Sequence, residues 1–338
     1  MSENATQQSG PVRRVLLLAH TGREDAREVA RAFCKSLTAH GIVVRLLADE
    51  ASDLGLDPVA PEPGIETVTD AQLHDEDGEG AGEGCELAVV IGGDGTILRA
   101  AEMTHLAGTP LLGVNLGHVG FLAEAEYDDV DSTIAAIVER RYTAEERLTL
   151  DVTVYRDGEA VMSTFALNEA SVEKAARERM LEVVVEIDGR PLSRWGCDGV
   201  VCATPTGSTA YNFSAGGPVV WPGVEALLMV PISAHALFAR PMVVAPTSVL
   251  AVELLATTAG AGVLWCDGRR AVDLPPGARI EVRRGHSPVR LVRLQEAPFT
   301  DRLVAKFGLP VEGWRGSTER RHRIAQETAR GLREGDDA

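Results

Sequence analysis

Long apolar runs are missing from this chain. None approaches the roughly 18 residues that a membrane-spanning helix requires, which predicts no membrane partner. The first ten residues are polar and hold no apolar core of the secretory type, so the expected location is the cytoplasm. Cysteine is scarce. Cys34, Cys85, Cys197, Cys202 and Cys266 are odd in number, scattered, and form no C-x-x-C pair. That pattern argues against disulfides and structural zinc and for buried free thiols. Lysine occurs only at Lys35, Lys174 and Lys306, so the basic residues are almost all arginine. Positive charge is short overall, with a formal net charge of −17. This excludes general nucleic-acid binding, which rests on basic patches. An anionic substrate would need local neutralisation by backbone N–H groups, a few arginines and a divalent cation. Much of the acid gathers at Asp70, Asp75, Glu76, Asp77, Glu79, Glu83 and Glu86. These read as a solvated loop, because the intervening residues give no metal-ligand geometry.

The 338 residues are enough for two cores, and 45% apolar with 25% charged residues is an ordinary globular mixture. Residues 15–19 and 42–47 read as strands, and 23–40 as a helix with Val29, Phe33 and Leu37 on one face and Gly41 as its stop. Residues 51–84 are rich in proline, glycine and acid and read as a mobile surface loop. Strands at 87–91 and 111–115 and a helix at 128–140 follow. Alternating strands and helices predict an α/β domain at 12–143 built on a parallel sheet. Beyond it the pattern alternates at 148–155 and 181–187, with hairpin pairs Asp157-Gly158 and Asp188-Gly189. Further short strands fit 243–255, 262–266, 279–283 and 289–294. Residues 144–296 are therefore expected to form a mostly antiparallel β-sandwich. Residues 297–315 look helical and are expected to pack back on the first domain. Residues 1–11 and 316–338 read as disordered tails. No internal repeat is present.

One stretch stands apart. The strand 87–91 empties into Gly92, Gly93, Asp94, Gly95 and Thr96, and a helical segment begins near Ile97. Glycines permit a sharp turn and close approach of a ligand to the backbone. A helix N-terminus then offers unpaired N–H groups and partial positive charge to a phosphate. Asp94 is the only carboxylate there. Phosphate binding alone does not call for it, whereas a hydroxyl awaiting phosphorylation does. The alternative is that Asp94 is an ordinary turn residue.

Four other segments carry polar groups in unusual density: 115–122, Asn168-Glu169, Asp198-Gly199 leading into 204–218, and Asp267-Gly268-Arg269. The strand 200–203 runs into Thr204, Thr206, Ser208, Thr209 and Ser214, with Tyr211 offering a flat face and a polar tip. That composition suits a ribose or base pocket better than a plain loop. Asn168-Glu169 alone is also explained by strand-end capping, Asp267-Gly268 by a turn, and His118 and His235 by structural roles.

Together, the Gly92–Thr96 turn, the Asn168-Glu169 pair and the run from Thr204 to Tyr211, in this order and at these separations, resemble the NAD kinase family. The resemblance extends from Val15 to about Trp314. It implies an N-terminal α/β domain, a C-terminal β-sandwich and a homo-oligomer, a dimer or tetramer. The reaction it implies is transfer of the γ-phosphate of ATP or another nucleoside triphosphate, or of a phosphate of polyphosphate, to the 2′-hydroxyl of NAD's adenosine ribose. Mg²⁺ would arrive on the triphosphate, with no metal ligand from the protein. On this pattern Asp94 is the proton acceptor. Asp94, Gly95, Arg99, Asn168, Glu169, Arg179, Asp198, Thr209, Ala210, Tyr211, Asn212, Phe213, Ser214 and Arg269 map onto positions that hold the dinucleotide, Asp198 in a neighbouring subunit's site. Gly196, with Arg194 nearby, stands where some relatives carry an arginine, and Arg269 where some carry a glutamine. Two rival readings are a lipid kinase with the same glycine turn and a dinucleotide sensor without catalysis. The polar run at 204–214 argues against the first, and the intact Asp94 against the second.

Overall fold

Alternate residues of the first strand, β1 (Arg14–Ala19), are buried in two different cores. Val15, Leu17 and Ala19 belong to one, and Leu16 and Leu18 to the other. This is why the strand reads as a continuous apolar run rather than an alternating one: both faces of the sheet are covered. The computed structural model describes residues 12–69, 80–117, 120–126, 129–176, 179–258, 260–295 and 298–311. After β1 come α1 (Glu24–Ala39), β2 (Val43–Leu47), α2 (Ala48–Asp53), β3 (Ile65–Val68), β4 (Leu87–Ile91), α3 (Asp94–Thr104), β5 (Leu111–Asn115), β6 (Ala125–Glu126), α4 (Val130–Val138) and β7 (Thr143–Arg147). Val29, Phe33 and Leu37 of α1 and Ile134 and Ile137 of α4 pack on one face; Ile97, Leu98 and Ala101 of α3 cover the other.

Strands β1 to β6 pair in parallel. The order β3-β2-β1-β4-β5 reverses direction between β1 and β4. Ala19 faces Ile91 in that pair, so the turns that follow the two strands start side by side. In open sheets of this kind, the crevice at such a reversal, beyond the strand C-termini, is where ligands bind.

The antiparallel half comprises β8 (Leu150–Arg156), β9 (Glu159–Ala166), β10 (Glu169–Lys174), β11 (Leu181–Ile187), β12 (Arg190–Cys197), β13 (Gly199–Ala203), a 3-10 turn at Thr206–Thr209, α5 (Tyr211–Ser214), β14 (Leu227–Ile232), β15 (Met242–Val244), β16 (Leu250–Leu254), β17 (Gly262–Cys266), β18 (Arg270–Leu274) and β19 (Arg279–Arg284), and β20 (Val289–Arg293) follows it in the chain. One sheet runs β15-β14-β13-β10-β17-β18 and the other β12-β11-β16-β19-β8-β9. Val172, Val200, Met229 and Leu264 of the first meet Val152, Val183, Trp195 and Ile280 of the second in a shared core. The Asp157-Gly158, Asp188-Gly189 and Asp267-Gly268 pairs all have positive φ at both residues, the geometry of two-residue hairpin turns. The buried thiols of Cys34, Cys197, Cys202 and Cys266 are pushed up to about 12 by loss of water, so they are inert.

Several expectations are corrected here. β20, expected in the antiparallel half, inserts into the first sheet, parallel to β5 and antiparallel to β7. Its pattern alone suits either sheet; only its partners decide. Residues 51–84 are not all loop, since β3 extends the parallel sheet beside β2. Glu86 is no solvated acid: it is mostly buried between Arg13, at 2.6 Å, and Arg140, at 2.7 Å. The expected strand at 243–255 is two strands, β15 and β16. Asp70, Asp75, Glu76, Asp77, Glu79, His118, Val119 and both expected tails lie outside the described residues. Separately, residues 298–308 form α6 (Phe299–Phe307), closed by Gly308 in the left-handed region at φ 59°. Among the described residues, no helix is long and apolar enough to cross a membrane.

Candidate active site

The turn after β4 uses its glycines in two ways. Gly92 has φ 153°, and a Cβ there would lie 2.5 Å from Thr96 Oγ1, so the turn itself demands glycine. Gly93 and Gly95 are exposed, with open space where a Cβ would be. They leave room for a ligand to reach the backbone. Gly93 caps α3, whose first N–H groups have no partner within the helix. Asp94 is the first residue of α3. Its Oδ2 accepts the Phe121 N–H and its Oδ1 the Leu122 N–H, each at 3.1 Å. A Cβ at Gly120 would come within 2.4 Å of Oδ1, so this segment can approach the carboxylate only as glycine.

A cavity of about 530 Å³ opens between the turns after β1 and β4. Ala19, His20, Thr21 and Gly22 form one side, Gly93, Gly95 and Thr96 another, and Arg99 and Arg269 contribute guanidinium groups. Glu50 ties two of these walls together. It is 2% exposed, accepts the Ala19 N–H at 2.9 Å and pairs with Arg99 at 2.6 Å. Burial pushes its carboxyl up, against the pull of those two partners. Arg269 is held in turn by Glu102 of α3 at 3.1 Å. The N-terminus of α3 and two arginines thus place positive charge at this cavity, in a protein that is acidic overall.

A second group of residues gathers on β10 and β13. Asp267, 5% exposed, accepts N–H groups from Leu167 at 2.9 Å, Asn168 at 2.7 Å and Glu169 at 3.3 Å, and takes Arg270 Nη2 at 2.8 Å. Its own N–H donates to the Glu169 carbonyl at 2.9 Å. Burial pushes the Asp267 carboxyl up, while these donors favour its charged form. The Asp267-Gly268 pair is thus a hairpin turn and also the clamp that fixes Asn168-Glu169. From the other side, the Asn168 carbonyl accepts the Thr204 N–H at 2.9 Å. A Cβ at Gly207 would lie 2.0 Å from that same carbonyl oxygen.

Glu169 is buried, and the Tyr211 backbone N–H donates to its carboxyl. Loss of water, with Asp267 close by, raises it from the ordinary 4.5 to about 8. Its Oε2 has no partner among the described residues. A carboxyl raised in this way, with one oxygen unpaired among the described residues, can make a further hydrogen bond. The linkage sign follows from the raised value: the folded chain keeps a proton that the unfolded chain has released between pH 4.5 and about 8. Stability from this group is full below 4.5 and is lost as pH rises through 8. Glu169→Gln is expected to flatten the fall in Tm between pH 6 and pH 9, and unfolding at the two pH values checks this.

The run from Thr204 onward bonds in part to its own backbone. Thr204 Oγ1 donates to the Leu167 carbonyl and accepts the Gly207 N–H. Ser208 Oγ bonds Val220 in both directions, and buried Asn212 holds the carbonyls of Ser208 and Pro218. These groups brace the loop, a role that the composition of the run did not reveal. Thr209 and Ala210 join the 3-10 turn to α5, Phe213 and Ser214 are exposed, and Tyr211 is half-buried and bonded to Glu173. Asp198 pairs with Lys174 at 2.5 Å. Arg179 is exposed, and neither it nor Asp198 lines the cavity.

Residues 15–142 match the model of the ATP-NAD kinase N-terminal domain, and residues 167–294 that of the ATP-NAD kinase C-terminal domain. The chain belongs to the NAD kinase family. Similar proteins include the NAD kinase of Thermobifida fusca, 61% identical over 313 residues, with 91% of this chain and 93% of that protein covered. NAD kinase 2 of Streptomyces coelicolor is 61% identical over 307 residues, covering 90% of this chain and 98% of that protein. The crystal structure of yeast NADH kinase complexed with NADH superposes with a TM-score of 0.77 at 26% identity, covering 90% of each chain. An NAD kinase from Archaeoglobus fulgidus in complex with ATP shares the fold, with a TM-score of 0.62 at 23% identity and coverage of 88% and 100%.

Within this NAD kinase fold, the structure gathers Gly93, Gly95, Thr96, Arg99 and Arg269 at one cavity and Asn168, Glu169 and Tyr211 at a second cluster. Sequence reading missed Glu50, Glu102 and the 19–22 turn. Glu50 and Arg99 are 49 positions apart, and no local pattern announces such a pair. Asp267 was visible as a turn, a reading that hid its second role.

Proposed function

We propose that this chain phosphorylates the 2′-hydroxyl of the adenosine ribose of NAD to give NADP, with ATP, another nucleoside triphosphate or polyphosphate as donor. The observation that carries the reading is a fixed carboxylate, Asp94, on the first turn of α3 beside an anion cavity with two guanidinium groups. A ribose hydroxyl holds its proton far more tightly than a carboxylate, so Asp94 does not remove it beforehand. It orients the hydroxyl and accepts the proton late, as the bond to phosphorus forms. Two N–H donors fix its orientation and leave its remaining lone pairs for substrate. Arg99, Arg269 and the α3 N-terminus receive the phosphates. Asn168, Glu169, Tyr211 and the backbone at 209–214 hold the dinucleotide, joined by Arg179 and, across subunits, Asp198. Relatives named NAD kinase at 61% identity support the substrate, as does a structural neighbour holding NADH.

Mg²⁺ fits this site as a passenger on the triphosphate. Thr21 and Thr96 line the cavity, and a hydrated ion carried on the triphosphate would meet their oxygens there. When bound, the ion offsets phosphate charge. A cytoplasmic homo-oligomer, a dimer or tetramer, completes the proposal. Exposed Trp221, Leu237 and Phe238 supply apolar surface for it, and a light-scattering mass of one chain would refute it.

The direct test mixes protein, NAD, ATP and Mg²⁺ and detects NADP with an NADP-specific dehydrogenase. Product supports the proposal. Tight NAD binding without product would instead support a sensor.

A further inference from the structure

The two arginines of the anion cavity come from different halves of the fold. Arg99 projects from α3, and Arg269 from the hairpin between β17 and β18. Among the described residues, Arg269 is anchored through Nε, 3.1 Å from Glu102 Oε1. A guanidinium carries five N–H donors, so this anchor leaves both Nη groups for a ligand. The same Glu102 oxygen lies 3.2 Å from Arg270 Nε, a charge contact whose angle falls short of a hydrogen bond. Arg270 reaches Asp267 with Nη2, and Asp267 holds the amides of Asn168 and Glu169. Phe165 seals this joint: the Arg270 guanidinium lies 4.4 Å over its ring, and His105 stacks at 3.9 Å. One carboxylate on α3 therefore connects the cavity to the segment that carries Asn168-Glu169.

We infer that Glu102 is a positioning residue, which fixes the Arg269 guanidinium at the cavity wall and ties it to the Asn168-Glu169 segment. The inference rests on reading the cavity as the seat of the donor's phosphates. Glu102 is 21% exposed and Arg269 37%, so their pairing adds little to folding. Its value lies in binding. A long side chain already held in place loses less freedom when a phosphate arrives. The competing effect has the opposite sign, because a carboxylate near the cavity repels an anion. If charge alone mattered, removing Glu102 would tighten anion binding; if positioning dominates, removal weakens it.

Calorimetric titration of the full chain with inorganic tripolyphosphate at fixed ionic strength separates the two. Glu102→Gln is expected to weaken binding roughly 3- to 10-fold, the loss expected when one side chain must be ordered on binding. Glu225→Gln, which breaks an exposed pair with Arg284 far along the chain, is expected to leave it unchanged. In an Arg269→Ala background, Glu102→Gln is expected to have no further effect, since its action runs through that arginine. Unchanged or tighter binding by Glu102→Gln overturns the inference, and so does a loss that persists without Arg269. Tripolyphosphate binding needs no NAD, so a negative NADP assay and a negative result here are separate failures.

Discussion

Asp94→Asn is expected to lower kcat by ~10²–10⁴-fold while NAD affinity stays within a few-fold, the usual range for loss of a positioned base. The substitution keeps the size of the side chain and one oxygen acceptor. It removes the carboxylate proposed to take the proton of a ribose hydroxyl. Alignment of the two substrates survives, and alignment supplies roughly 7–11 kcal/mol in favourable cases, so residual turnover remains. The structure supplies the alternative to be tested. Asp94 also accepts the N–H groups of Phe121 and Leu122, and an amide turned toward two donors opposes one of them. If Asp94 only pins that segment, Asp94→Asn will lower Tm and leave kcat near the wild-type value. Steady-state kinetics, NAD titration and thermal unfolding on one preparation distinguish the outcomes.

Asp267→Asn is expected to cost on the order of 3 kcal/mol of stability, as for breaking a buried charge pair from one side. For a domain of this size that corresponds to a fall in Tm of roughly 6–12 °C. Asparagine tolerates the left-handed backbone at this position, so the change isolates the carboxylate. Its amide would face three backbone donors with one oxygen, and Arg270 would lose its partner. The same change should raise the KM for NAD more than that for ATP, because Asp267 holds the strand start that carries Asn168 and Glu169. Equal rises in both KM values would mean that Asp267 serves folding alone.

Hairpin turns at Asp157-Gly158 and Asp188-Gly189, the helix over residues 23–40 and the strand before the glycine turn were all legible, because each is a local pattern of period, turn residue or stop signal. The sheet that β20 joins was not, since a five-residue apolar strand satisfies either environment. Within the candidate site, the turn that carries Asp94 and its glycines could be read because their spacing is itself the signal. The bracing role of Thr204 and Ser208 was not legible, because a dense run of hydroxyls looks alike whether it faces a ligand or its own backbone. The difference lies in the carbonyls of Leu167, Val220 and Pro218, which come near only on folding.

By itself, then, the order of residues determined an α/β half and an antiparallel half, a parallel sheet feeding a glycine turn, and a carboxylate set within that turn. These follow from short-range sterics and from which side chains leave water. Only the tertiary structure decided that the turns after β1 and β4 share a crevice, that Glu50 and Glu102 hold the two cavity arginines, and that Asp267 clamps Asn168-Glu169. Those contacts join residues 49 to 167 positions apart. Charge and hydrogen bonding act through space, so a pair of that kind has no signature until the chain has brought its members together.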